Sequence, residues 1–290
     1  MSKNGIVTVL SVNPHKASKV LDFEVMSNYC DACTKARKRL SAENFLEWRK
    51  DHKNCQRNHE GPSGQMEPSG MLAIFNRSAI HNGLKYVNYL GDGDSKSFKT
   101  VAEATPPVYD SIEIKKLECC GHIQKRMDKK LMNKVAECKG KVYEENGKKY
   151  KGIGNAGRLT TRAIKRIQGH YGGAIRKNFS AVSKMKKSIM AIWKHRGGFH
   201  EDCGEWCPKD IELKDKNKLP QFVLNEIKPV FEDLSADSLL EKCLHGGTQN
   251  GNESYHNLIW KRCPKSVFVG RDRVNIAAMD TAIVYSDGEL

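Results

Sequence analysis

Two short runs rich in apolar and β-branched residues open the chain, GIVTVLSV (5–12) and KVLDFEVMS (19–27), joined by NPHKAS. Val7, Val9 and Ser11 alternate with Thr8, Leu10 and Val12, and both sets are largely apolar. That pattern predicts a hairpin turned at Pro14 and buried on both faces, central in a sheet. After a loop, GPSGQMEPSG (61–70), the period changes. MLAIFNRSAIHNG (71–83) sets Leu72, Phe75, Ala79 and Ile80 at helical spacing and ends on Gly83. LKYVNYL (84–90) reads as a strand, SKSFKTVAEA (95–104) as a helix and SIEIKKLEC (111–119) as a strand. A hairpin followed by alternating strands and helices predicts an α/β fold with a mixed sheet.

From Ile123 to about Met190 no β run is visible. Ile164, Ile167, Tyr171, Ile175, Phe179, Val182, Met185, Ile189 and Trp193 recur every three or four residues, and Gly172-Gly173 is the expected break. Two further helices are predicted, QFVLNEIKPVFEDL (221–234), kinked near Pro229, and SADSLLEKCL (235–244), capped by Ser235.

Charge sharpens this picture. The 290 residues carry 49 Lys and Arg against 34 Asp and Glu, a net charge of +15 and a pI near 9.3. Such a balance favours a polyanionic partner, most simply nucleic acid. Arg162, Lys165, Arg166, Arg176, Lys177, Lys184, Lys186 and Lys187 decorate the helices after Ile123, a candidate phosphate-contacting face. With 8% aromatic residues and no stacking motif, RNA binding is the weaker reading. The start, MSKNGIVTVLSVNP, does not read as a signal peptide, and no apolar stretch is long enough to predict a membrane span. A cytosolic or nuclear protein is expected, although no clear nuclear localisation cluster is present.

The ten cysteines are unevenly spread. In a reducing compartment, close-spaced Cys and His pairs favour metal over disulfides. Cys30-x-x-Cys33, a helical segment and Cys55-x-x-x-His59 supply four ligands for a structural, tetrahedral Zn²⁺ site in a small insertion at about 28–62. His200, Cys203 and Cys207, with Cys243 and His245 downstream, are candidates for a second Zn²⁺ site; burial as ordinary thiols is the alternative.

Three motifs, GDGDSKS, LECCGHIQKR and GTQNGNESYHNLIWKRCPK, each begin where a strand or loop meets a helix, where α/β folds gather ligands. Asp92 or Asp94 could bind Mg²⁺ there, as could Glu253 in the first turn of a helix capped by Asn252. A first-turn glutamate also simply complements the helix dipole.

The ordered series NGIVTVLSV, KVLDFEVMSNYCDAC, CQRNHEGPSGQME, YLGDGDSKSF, KLECCGHIQKR and LHGGTQNGNESYHNLIWKRCPK resembles the Mutator-like family of DNA transposases over nearly the whole chain. The resemblance implies a ribonuclease H-like core with an Asp, Asp, Glu triad binding two Mg²⁺ or Mn²⁺ ions. It also implies a helical insertion ahead of the Glu, which the region 123–246 fits, between core segments at 1–122 and 247–290. By position Asp92 resembles the second triad acid, with Asp94 the lesser candidate, and Glu253 the third. Cys119 and His122 resemble a C-x-x-H motif thought to lie near the cleaved DNA. Transposon ends and target DNA would be the partners and the nucleus the location; assembly with further copies stays open. The strand bearing the first triad Asp is expected just upstream of NGIVTVLSV and does not show in this sequence; Asp22, on a later strand, does not replace it. The expectation is therefore a transposase-derived DNA-binding protein with impaired strand cleavage and transfer. The alternative is a non-catalytic, zinc-stapled DNA-binding protein of the same origin.

Overall fold

A computed structural model describes residues 3–11, 18–91, 96–208 and 218–287. The chain divides into two compact units, Met1–Lys116 with Gln249–Leu290, and Leu117–Thr248. Asp92 and Asp94, and the turn predicted at Pro14, lie outside the described residues.

In the first unit, β1 (Asn4–Leu10) and β2 (Val20–Ser27) pair antiparallel, with Thr8 opposite Phe23. The alternation along β1 is realised as two buried faces. Val7 and Val9 join a core with Met71, Ile74, Phe75, Tyr89, Val101, Tyr109 and Ile114. Ile6 and Leu10, with Val25 and Phe23 of β2, pack instead with Tyr255, Ile259, Val274 and Ala278. After the hairpin come α1 (Asp31–Arg39), α2 (Ala42–Asp51) and α3 (Met66–Asn82), which ends on Gly83 in the left-handed region at φ 62°. The α3 helix begins inside the predicted loop, and its inward stripe is Met71, Ile74, Phe75 and Ser78. Ala79 and Ile80 face solvent, Ile80 at 85% exposure, so the expected stripe is rotated. The cause is Gly70: a Cβ there would lie 2.8 Å from Val7 Cγ2, so this glycine sets which side of α3 lies against β1. Arg77 fixes the register of that docking by donating to both Asp22 carboxylate oxygens at 2.8 Å, to Phe23 O at 2.8 Å and to Glu24.

Next follow β3 (Asn88–Gly91), α4 (Lys96–Ala102) and β4 (Lys115–Glu118), with β3 and β4 paired. Both strands are shorter than predicted. Of residues 84–87 and 111–114 only Tyr86 and Ile114 pack into the core, the rest being exposed; Ser78 Oγ and Tyr109 OH lie 2.6 Å apart, and the Tyr109 hydroxyl accepts from Tyr86 N. Among the described residues the strands form separate two-stranded sheets, not one mixed sheet. The remaining helices of this unit, Asn250–Arg262 and Arg271–Asp287, cover the second face of the hairpin.

The second unit is mainly helical. It holds α5 (Cys120–Glu137), α6 (Thr161–Lys177), α7 (Val182–Arg196), α8 (Gln221–Asp233) and the short α9 (Asp237–Leu240). Ile164, Ile167, Tyr171, Ile175, Met185 and Ile189 point inward as their period predicts. Three local expectations change. A hairpin, β5 (Val142–Glu145) and β6 (Lys148–Lys151), interrupts the helices, turned by Asn146 and Gly147, both at positive φ. Gly172-Gly173 does not break α6; a Cβ on Gly172 would sit 2.1 Å from Gln124 Oε1, so the glycine serves close packing against α5, and the break falls at 178–181. Ser235 does not cap α9; its hydroxyl donates to Glu232 O at 3.2 Å and closes α8. Asn250–Arg262 is α10 and Arg271–Asp287 is α11.

Candidate metal centres and acidic site

Cys30 flanks the start of α1 and Cys33 lies in its first turn, while His52 ends α2 and Cys55 follows three residues on. Cys30 Sγ is 3.4 Å from His52 Nε2, and Cys33 Sγ is 3.5 Å from Cys55 Sγ. All four ligand atoms lie within 4.8 Å of one another, a spacing that one tetrahedral Zn²⁺ fits. The fourth member is His52, not the expected His59. Asn58 explains the difference: its side chain bonds Ser27 N at 2.7 Å and Val25 O at 2.9 Å, and His59 N donates to Ser27 O. This docks His59 onto the end of β2 as a buried side chain. The sequence does carry the signal, since His52-x-x-Cys55 is one position tighter than Cys55-x-x-x-His59.

The thiols of this cluster share protons unevenly. Burial opposes ionisation of Cys30, yet hydrogen bonds from the Cys33 backbone and His52 outweigh it and hold its pKa below the ordinary thiol value. Burial, with the neighbouring Cys55 and Cys30, pushes Cys33 up to about 11. Three adjacent thiols cannot all ionise unaided, and a dication reverses that constraint. Arg49 already works in this direction, with Nη1 2.7 Å from both Cys33 Sγ and Cys55 Sγ. We expect Arg49→Gln to weaken Zn²⁺ affinity by about 10- to 100-fold, the usual loss of an outer-shell partner, with Arg49→Lys in between. Competition with a chromophoric chelator measures it.

The second cluster joins the last turn of α7 to the loop after it. His195 and His200 Nδ1 atoms are 2.9 Å apart, and Cys203 and Cys207 Sγ lie 3.5 and 3.7 Å from His195 Nδ1. These four also fall within 4.8 Å of one another. His195 takes the place expected for Cys243 and His245. Cys243 is buried in the helical core, its thiol directed at Leu239 O. Both ring nitrogens of His245 are engaged, Nε2 near Glu118 O at 3.1 Å and Nδ1 accepting from Gly247 N at 2.8 Å. His195 was hidden in the sequence because it continues the inward stripe of α7. Trp206, inside the loop, packs against both His170 and His195, with ring centroids 4.5 and 4.8 Å away.

The end of β3 lies beside the start of α10. Gln249 Nε2 donates to Leu90 O at 3.3 Å, two positions before Asp92, and Glu253 N donates to Gln249 O at 3.1 Å. Glu253 is exposed in the first turn of α10, in a shallow depression shared with Asn250, Asn257 and Lys261. The helix opens at Asn250, one turn earlier than expected, because Asn252 is used sideways: Thr8 Oγ1 donates to its Oδ1 at 3.2 Å and lies 2.8 Å from His256 Nε2. Burial, then Lys265, lowers the His256 pKa to about 4, so the ring is neutral at pH 7. Ile259 packs inward, whereas Leu258, expected to share that role, is only half-buried. In the other unit, Cys119 is buried and directly precedes α5, and His122 N donates to Cys119 O at 3.0 Å.

The basic helical face is less free than the sequence implies. Lys165 pairs with Asp128, Lys177 with Glu205, Lys186 with Asp237 and Lys187 with Asp202, while Arg176 bonds Gln124. Exposed pairs of this kind are weak and exchangeable, so a phosphate would compete with them rather than meet bare cations.

No curated protein and no solved structure matches the chain. The family model of the Mutator-like transposase matches residues 1–207, a stretch that includes both Cys/His clusters, Asp92 and the Cys119–His122 pair and stops short of Glu253. That match spans well over half of the 290 residues, and by it the chain belongs to the Mutator-like transposase family.

Proposed function

We propose that the chain is a transposase-derived DNA-binding protein built on a ribonuclease H-like phosphoryl-transfer core, with Asp92 and Glu253 as two of its metal-binding acids. The convergence of the end of β3 with the start of α10 through Gln249 and Leu90 carries this reading. The sheets support it as well. Val7 of β1 and Tyr89 of β3 pack in one core with α3, yet no ladder joins the two strands among the described residues. A triad would need a third carboxylate beside Asp92 and Glu253. Asp22 does not fill that role, since it lies on β2 and is held by Arg77.

The residues fit Mg²⁺ or Mn²⁺, because such ions take one or two protein carboxylates and complete their shell with phosphate oxygens. Bound there, the metal would activate a water or 3′ hydroxyl and steady the leaving oxygen of a phosphodiester. The chain's own part is to hold Glu253 at the mouth of α10, with Thr8, Asn252 and a neutral His256 fixing that first turn against β1. Two Zn²⁺-binding Cys/His clusters would staple the surrounding insertions. The non-catalytic alternative draws on the same observation about Asp22, whose carboxylate is engaged by Arg77.

DNA binding is the shared test. Affinity for a random-sequence duplex is expected to fall linearly in a plot of log K against log salt, by about 0.9 for each phosphate engaged. Lys184→Ala should reduce that slope more than Lys186→Ala, because Lys186 already has Asp237 at 2.8 Å. Absence of duplex binding at low salt would overturn both readings.

A further inference from the structure

The α1–α2 hairpin has almost no core of its own. Ala36 is the single buried residue of α1, and α2 buries none. Two helices that share so little apolar surface are not held by packing. Their geometry rests on Cys30, Cys33, His52 and Cys55. The turn between them carries Arg37, Lys38 and Arg39 in the last turn of α1, all exposed. None of the three forms an ion pair among the described residues, in contrast to Lys165, Lys177, Lys186 and Lys187 of α6 and α7. Cations in a last turn also complement the helix dipole, an effect worth only about 0.3–1 kcal/mol each at an exposed site.

A continuous stack connects this turn to the metal ligands. The Arg37 guanidinium lies 5.0 Å from the Phe45 ring centre, Phe45 is 5.9 Å from Trp48 with planes 28° apart, and Trp48 is 4.6 Å from His52 at 21°. His52 in turn faces Cys30. Fixing His52 on a metal therefore fixes Trp48, Phe45 and the Arg37 side chain in order.

We propose that the basic turn Arg37-Lys38-Arg39 is a contact for the phosphates of duplex DNA, and that it is assembled only while a metal holds the α1–α2 hairpin. The proposal rests on the DNA-binding reading above and places one of its contacts. The test uses the full chain and a random-sequence duplex, with affinity measured by fluorescence anisotropy over a salt series. The variant Arg37→Ala/Lys38→Ala/Arg39→Ala should keep its zinc content and lose up to about three from the salt slope. Cys33→Ser, which leaves the second cluster intact, should show the same reduced slope with the three cations present. An undiminished slope in the triple variant overturns the contact, and an undiminished slope in Cys33→Ser overturns its dependence on metal. A wild type that binds no duplex overturns this proposal together with the reading beneath it, so the failures are distinguishable.

Discussion

Protein purified without added metal is expected to carry two zinc ions per chain, and Cys33→Ser and Cys203→Ser should each remove one. The consequences for the fold should be unequal. Loss of the first ion leaves α1 and α2 with Ala36 as their one buried side chain, so the hairpin should unfold locally. Structural Zn²⁺ supplies on the order of 10 kcal/mol to modules that cannot fold without it. Loss of the second should free the loop after α7 while sparing the helices, because Ile164, Tyr171, Ile189 and Phe231 are buried independently of it. Elemental analysis gives the stoichiometry, and hydrogen exchange shows which segment opens. The ligand assignments are tested by His52→Ala and His195→Ala, which should each lose a metal, against His59→Ala and His245→Ala, which should not. A folded wild type free of zinc would end the metal reading altogether.

At the acidic site, Asp92→Asn and Glu253→Gln are each expected to weaken Mn²⁺ binding by at least about 10- to 100-fold, since even outer-shell losses reach that size. Two carboxylates repel when brought close unless a cation lies between them, so the proposed pairing of Asp92 with Glu253 makes sense only as a metal site. Titration followed by Mn²⁺ paramagnetic relaxation measures the affinity. A two-metal centre needs more than two acids to be held firmly, so Asp92 and Glu253 on their own should bind Mn²⁺ weakly. An experimental structure with the carboxylates of Asp92 and Glu253 more than about 10 Å apart would refute the site, because the ions of such a centre lie only about 4 Å apart. Robust Mn²⁺-dependent nicking, abolished by Asp92→Ala, would instead show that the site is right and that a third acid is present after all.

Local pattern determined a good deal of this protein. Period-two alternation in GIVTVLSV marked β1 and both its faces, because side chains on a strand must alternate. Period-3.6 recurrence marked the inward faces of α6 and α7 for the same kind of reason. Cys30-x-x-Cys33 closes within one helical turn, so that half of a metal site needs no other part of the chain. The six-motif series was enough to name the family. What the tertiary structure alone decided is how separate elements meet. Whether Cys30 and Cys33 face His52 or His59 depends on Asn58 docking to β2, and whether Cys203 and Cys207 face His195 or His245 depends on how α7 is seated in its core. The solvent-facing side of α3 was set by Gly70 against Val7, and the continuity of α6 by Gly172 against Gln124. The pairing of Lys165 with Asp128, 37 positions away, removed a cation that the charge pattern had counted as free. In each case the deciding partner lies far along the chain and near in space, a relation that spacing and periodicity do not encode.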